Sequence, residues 1–130
     1  MKTIRKIKIG KYCSIGDFSH ITAMRNITIE DGVLIANNVY ISDNSHQYED
    51  INTFVKDQPV IFKSEVYIKS GAWIGENVCI IGASVGRNSV IGANSVVTKD
   101  IPDYSIAVGS PARVIKRYDF SNSTWVKTNE

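Results

Sequence analysis

The sequence predicts an all-β chain wound into a parallel β-helix, and three features of residues 68–97 carry that prediction. An aliphatic residue returns nearly every sixth position, at Ile68, Ile74, Ile80, Val85, Ile91 and Val97. Glycine follows it directly at Gly75, Gly86 and Gly92. Four residues after each aliphatic stands a small or branched residue: Ala72, Val78, Ser84, Ser89 and Ser95. A period of six matches neither an α-helix nor an ordinary strand. It marks a solenoid in which each repeat supplies one short strand and one corner, and about eighteen residues close a triangular turn. The aliphatic side chains are expected to point inward and stack, with the small fifth residue filling the taper towards a corner. Glycine is expected to give the corner backbone dihedrals that a Cβ would penalise. Each turn buries its inward face only against its neighbours, so several turns are needed.

Taken in order, residues 1–8 read as an irregular lead-in that caps the first turn. Hexads then start at Ile9 and Ile15. After Ile21 the phase slips. Arg25 stands where a small residue belongs and the next hexad opens at Ile29, so two extra residues around Met24 to Asn26 predict a bulge at one corner. The repeat resumes through Ile35 and Ile41. It then fails until Ile68, and residues 43 to about 64 read as a long polar loop thrown out from the column, of the kind that is more often functional than idle. The step from Ile80 to Val85 is one residue short. Tyr104–Gly109 reads as a last partial turn and Pro111–Tyr118 as a closing strand. Residues 1–118 thus form one domain. Residues 119–130 read as a polar tail, ordered by a neighbouring subunit if at all.

Bulk properties narrow the function classes. The 130 residues allow a single core. A net charge of +2 argues against a nucleic-acid surface, which needs a concentrated basic stripe. No apolar run approaches the ~18 residues of a membrane span, and the basic N-terminus lacks the apolar segment of a signal peptide. Cys13 falls at an inward fifth position and Cys79 at an outward sixth. They read as unpaired thiols of a reducing compartment, so a cytoplasmic protein is expected.

On these residues the chain resembles the hexapeptide-repeat acyltransferases, whose fold is a left-handed parallel β-helix. The runs Gly71–Val78 and Gly92–Lys116 are similar to the sugar O-acetyltransferase branch, which includes maltose, galactoside and capsule or O-antigen acetyltransferases. The likeness covers roughly residues 7–118. It implies the handedness, acetyl-CoA as acyl donor, a homotrimer with active sites between subunits, and a carbohydrate or other small-molecule acceptor. Neither nucleic acid nor membrane is an expected partner.

Only two histidines are present. His46 lies where the loop departs, and the family places its catalytic histidine there in motifs such as Asp-His-x-His-x-Tyr-x-Asp. Asp43, His46, Tyr48 and Asp50 match that pattern, while Asn44 replaces its first histidine. Acetyl transfer to a hydroxyl needs a base, because an alcohol near neutrality is a poor nucleophile, and an imidazole with a pKa of ~6.5 can act as base and then acid. Asp43, Glu49, Asp50 or a backbone carbonyl could orient the ring. Asp43, Asn44, Tyr48 and Asp50 are the candidates to line the acceptor pocket. His20 reads as a surface or subunit-contact residue.

The resemblance assigns the donor to Trp73, Ala93, Thr98, Lys99, Arg113 and Lys116. Trp73 should point outward, beside the acetyl donor or into a subunit interface. A small residue at Ala93 would let the pantetheine arm lie along the column, and the cations suit the phosphates of coenzyme A. No metal site is visible, since a carbonic anhydrase of this fold needs three histidines for its zinc. The expected activity is acetyl-CoA-dependent O-acetylation of a sugar hydroxyl, in surface polysaccharide or sugar modification. Amino-sugar N-acetylation and a non-catalytic scaffold are the alternatives.

Overall fold

The computed structural model describes residues 6–128. The first coil is built from β1 (Lys6–Ile9), β2 (Ser14–Ile15) and β3 (His20–Thr22), the second from β4 (Asn26–Ile29), β5 (Leu34–Ile35) and β6 (Tyr40–Ser42). The chain then leaves the column as a hairpin of β7 (Asn44–His46) and β8 (Val60–Phe62), with a short 3-10 turn at Val55–Asp57 between them. The third coil holds β9 (Val66–Ile68), β10 (Trp73–Ile74) and β11 (Cys79–Ile81), and the fourth β12 (Val90–Ile91) and β13 (Val96–Val97). β14 (Ser105–Gly109) starts a fifth coil, and β15 (Ala112–Asp119) and β16 (Thr124–Lys127) follow. No helix among the described residues is long and apolar enough to cross a membrane.

Equivalent strands of successive coils pair in parallel and form three faces. Face one is β1-β4-β9, continued by single bridges through Val85 and Ile101. Face two runs β2-β5-β10-β12-β14, and face three β3-β6-β11-β13. The register places Ile9, Ile29 and Ile68 in one column. Ile15, Ile35, Ile74, Ile91 and Ala107 form the second column, and Ile21, Ile41, Ile80 and Val97 the third. In the second to fourth coils these side chains are fully buried, as are Ala72, Val78, Ser89 and Ser95. Ile9 remains 51% exposed because, among the described residues, the first coil has a neighbour on one side only. Burying one such isoleucine contributes roughly 1.5–3 kcal/mol before chain entropy is subtracted.

The glycines after the aliphatic residues have a different role from the one expected. Gly75 and Gly86 keep ordinary dihedrals. A Cβ on Gly75 would lie 2.7 Å from the Ile91 carbonyl oxygen, and one on Gly86 2.3 Å from the Asp103 nitrogen. These positions are small so that the next coil can approach. The left-handed backbone conformation falls two residues later, at the fourth position of the hexads on faces one and two: Asn38, Asn77, Asn88 and Asn94 have φ of 57°, 59°, 50° and 62°. Gly32 and Gly71 fill the same position in other hexads. Asparagine and glycine tolerate this region where other residues lose about 1–2 kcal/mol. Tyr12, Phe18 and Tyr104 nevertheless occupy it.

Four further differences have clear causes. Residues 6–8 of the expected lead-in join Ile9 in a strand, with Ile7 and Ile9 paired to Ile27 and Ile29; residues 1–5 lie outside the described residues. In the shortened hexad Ala83, not Ser84, is the buried small residue. Losing one residue turns Ser84 to the edge, where its hydroxyl accepts from the Tyr67 N–H and its own N–H donates to Asp100. The loop at 43–64 has its own hydrogen-bonded hairpin. Residues 119–127, read as tail, include β16, antiparallel to β15 and fastened by the edge-on Tyr118–Trp125 ring pair at 5.4 Å. Val114 of β15 is buried and closes the C-terminal end of the core.

Candidate active site

The site begins with the two extra residues of the second coil. Asp43, fully buried, directs its carboxylate back at that bulge. One oxygen accepts the Met24 N–H at 2.7 Å, and the other accepts those of Arg25 and Asn26 at 2.8 and 3.0 Å. Burial raises the carboxyl's pKa, but the bonds from Met24, Asn44, Arg25 and Asn26 outweigh it and hold the group below its ordinary value. Expected as an acceptor-lining residue, Asp43 instead fastens the bulge to the root of the hairpin.

The hairpin departs directly after it. Asn44 pairs with Phe62 and His46 with Val60. Alternation along a strand puts Asn44 and His46 on one face, and their cross-strand partners share it. The Lys63 N–H donates to the Asp43 carbonyl at 2.7 Å and the Gln47 N–H to the Pro59 carbonyl at 2.8 Å, closing the ladder at both ends. Asn44 donates from its amide to the Asp43 carboxylate at 2.8 Å, which fixes the side chain's orientation. Asn44 and Val60 line a cavity of about 260 Å³ together with Thr22, Ala23 and Met24.

His46 is oriented from the far side of the loop. Its Nδ1 lies 3.2 Å from the carbonyl oxygen of Gln58. A carbonyl can only accept, so Nδ1 carries the proton and Nε2 presents a lone pair. Of the orienting groups open from the sequence, a backbone carbonyl takes the place, and the carboxylates serve elsewhere. Asp50 folds its own turn by accepting from the Asn52 N–H at 2.9 Å and the Thr53 hydroxyl at 2.7 Å, which lowers its pKa. Glu49 accepts from the Tyr48 N–H at 3.0 Å. The Tyr48 ring is exposed.

Gln58 is the residue that sequence reasoning missed. Its side chain is buried inside the loop, donating to the Asp50 and Thr53 carbonyls at 2.8 and 3.0 Å and accepting from the Asp50 N–H at 3.3 Å. The loop therefore has a polar core of one residue. The only signal was its place between Asp57 and Pro59, which end the polar run.

The donor candidates fall into two groups. Lys99 and Arg113 line one cavity of about 380 Å³ with Asp100, Ile101, Ala112 and Val114. Trp73 is 49% exposed on face two, in register with Leu34 and Val90. The row continues through Ile106 to Lys116, three strand spacings or roughly 14 Å from Trp73. A register shift between Ile106 and Ala107 pairs Arg113 with Val108 and Lys116 with Ile106. Two cations three residues apart thereby share a face that strict alternation would split. Ala93 and Thr98 are exposed at two different corners of the fourth coil. His20 packs edge-on against Tyr40 at 5.4 Å on face three. Among the described residues no three His, Cys, Asp or Glu side chains gather as a metal site.

Comparison with known proteins follows the same residues. The family model described as the hexapeptide repeat of succinyl-transferase matches residues 6–43 and 66–99, leaving the hairpin outside it. Rv3034c of Mycobacterium tuberculosis, named as a probable acetyltransferase, is 47% identical over 77 residues, which are 58% of this chain and 25% of that protein. WbbJ of Escherichia coli K12, named for lipopolysaccharide-biosynthesis O-acetyl transfer, is 39% identical over 72 residues, 55% of this chain and 37% of its own length. The chain thus spans well under half of these curated relatives. The crystal structure of the acetyltransferase VCA0836 from Vibrio cholerae, complexed with acetyl coenzyme A, superimposes with a TM-score of 0.79 at 32% identity, covering 87% of this chain and 61% of that one. The coil register, the buried aliphatic columns and the match over both halves of the column lead to one assignment: the chain belongs to the hexapeptide-repeat acyltransferase family.

Proposed function

We propose that the protein is an acetyl-CoA-dependent O-acetyltransferase acting on a sugar hydroxyl, with His46 as general base. The observation that carries this reading is the imidazole itself. Nδ1–H is tied to the Gln58 carbonyl, so Nε2 is free to accept a proton on the hairpin face that also borders the cavity lined by Asn44 and Val60. The acceptor hydroxyl gives its proton to Nε2 as its oxygen attacks the thioester carbonyl. The tetrahedral oxyanion collapses with cleavage of the carbon–sulfur bond, and the imidazolium returns the proton to the departing thiolate. A positioned base of this kind contributes typically 10²–10⁴-fold.

The donor would lie along face two. The row of Trp73, Val90 and Ile106 offers an apolar track for the pantetheine arm, and Arg113, Lys116 and Lys99 offer cations for its phosphates. The exposed Leu34 and Trp73 on the same face support a homotrimer in which a neighbouring subunit covers the track and completes the site. The named role of WbbJ supports a hydroxyl of a surface polysaccharide or its precursor as the acceptor.

The test is acetyl-CoA consumption, read as free thiol, over sugars, amino sugars and nucleotide sugars, with His46→Ala in parallel. Turnover on a hydroxyl is expected to fall at least a hundredfold in the variant while circular dichroism is unchanged, in line with the loss of a general base. Turnover on amino sugars alone would move the acceptor to an amine. Absence of acetyl-CoA binding would leave a scaffold.

A further inference from the structure

We infer that Arg25 is an anion-recognition residue of the acceptor site, so that the sugar acetylated carries a carboxylate or a phosphate close to the reacting hydroxyl. The inference rests on the O-acetyltransferase reading and adds the chemical class of its acceptor.

The argument starts from an irregularity that catalysis leaves unused. Two extra residues interrupt the hexads around Met24 to Asn26, and Arg25 is the large cation they put on the surface. The bulge is not a loose insertion, because the buried Asp43 carboxylate accepts all three of its N–H groups. The side chain is held as well. Its guanidinium carbon lies 4.3 Å from the centre of the Phe62 ring, within the range of a cation–π contact. Phe62 is the cross-strand partner of Asn44, and Asn44 stands two residues from His46 on the same face. Two strand residues span about 6.6 Å. The ring that carries the cation is thus one residue pair along the hairpin from the base, about the length of one hexose, and the neighbours of both, Met24 beside Arg25 and Val60 opposite His46, line one cavity with Asn44.

The charge is also uncompensated. Among the described residues no carboxylate oxygen lies within 4.0 Å of this guanidinium; the ion pair the structure records is Lys56–Asp57. Asp43, which accepts the backbone N–H of Arg25, spends its oxygens on backbone N–H groups and on Asn44. A guanidinium stacked on a ring keeps its edge N–H groups free, and that fork matches a carboxylate or phosphate. A neutral sugar would gain little from it.

The experiment compares matched acceptors: glucuronate with glucose, galacturonate with galactose, and the corresponding sugar 1-phosphates. Each is assayed with the full chain, Arg25→Met and Arg25→Lys. Methionine keeps an aliphatic stem on Phe62 and removes the charge. The wild type is expected to favour one of the two anion types. Arg25→Met should raise the KM of the anionic acceptor about tenfold to a hundredfold, as loss of a charge-assisted bond does. Its kcat, and the KM of the neutral partner, should stay within about twofold on the same reasoning. Arg25→Lys should retain more affinity for a phosphate than for a carboxylate, because the fork is lost and the charge kept. The carboxylate and phosphate arms thus identify the source of the anion. An unchanged ratio of anionic to neutral turnover in Arg25→Met, or an equal fall on both, would overturn the assignment. If no sugar is acetylated at all, the O-acetyltransferase reading fails on its own account. The anion site is then read from the Arg25 side-chain N–H resonance titrated with glucuronate and with inorganic phosphate. A saturable shift absent from Arg25→Met upholds it, and no shift rejects it.

Discussion

Replacing Asp43 by asparagine keeps the size and shape of the side chain and removes its charge, so the consequences can be worked from the four bonds it makes. One carboxylate oxygen accepts from the Met24 N–H and the Asn44 amide, the other from the Arg25 and Asn26 N–H groups. An amide has one oxygen and one NH₂, and whichever way it turns, two donors face a donor. Each bond left unmade in a buried place costs about 1–3 kcal/mol, and water can reach part of the bulge. The expected loss at neutral pH is therefore about 3 kcal/mol, a large share of the 5–15 kcal/mol that holds a typical domain. Urea unfolding followed by circular dichroism at fixed protein concentration measures it.

The pH dependence separates charge from shape. Burial pushes the Asp43 carboxyl up, but its hydrogen bonds hold the folded-state pKa below the ordinary 3.8. A depressed folded pKa means that the charged group's contribution is fully present above the unfolded value and is lost as pH falls through the folded one. The gap between wild type and Asp43→Asn should hold constant from neutrality down to the region of 3.8 and then close. Hydrogen exchange should show where the loss acts. The amides of 24–26 and of the hairpin should exchange faster, while those of Ile74 and Ile80 keep their protection. A gap that persists unchanged in acid would assign the effect to packing, and no gap at neutral pH would refute the view that the carboxylate organises the site.

Three further predictions test the column and the loop. Gly75→Ala puts a Cβ 2.7 Å from the Ile91 carbonyl oxygen, which backbone cannot yield, so a loss of about 2–3 kcal/mol is expected in urea unfolding. Asn38→Ala, at φ 57°, should cost only about 1–2 kcal/mol, and Asn38→Gly almost nothing. Gln58→Leu removes the donors to the Asp50 and Thr53 carbonyls and loosens the carbonyl that orients His46. It should lower kcat about tenfold or more, as a misplaced base does, with the KM for acetyl-CoA little changed. An unaltered kcat would disconnect Gln58 from the imidazole.

The column was legible because a period of six has one geometrical consequence. Ile68, Ile74, Ile80, Val85, Ile91 and Val97 had to stack inward, and all are fully buried. The phase failed where its letters are ambiguous. With one residue missing before Val85, either Ala83 or Ser84 could fill the interior, and the shorter corner turned Ala83 in. Glycine after the aliphatic residue could mean an unusual dihedral or a close approach. The discriminating signal was present two positions later, where Gly32, Gly71 and Asn88 at one corner and Asn38, Asn77 and Asn94 at the next carry the positive φ.

The hairpin of the candidate site was harder to read, for a different reason. His46 was singled out largely by the family resemblance, one of two histidines and beside the break in the repeat. What positions it has no letter. The orienting group is a backbone carbonyl, and the partners of Asp43 are three backbone N–H groups, so Asp43 looked like one more acidic residue facing an acceptor. Gln58 carries the loop through bonds to backbone carbonyls for the same reason. Arg25 shows the converse. Its departure from the hexad was plain in the sequence, but its use depends on a ring 37 positions away in β8 and on a hairpin register that no local pattern specifies. Repetition encodes the column in side chains, whereas the hairpin that holds His46 is encoded largely in single contacts between a polar side chain and main chain.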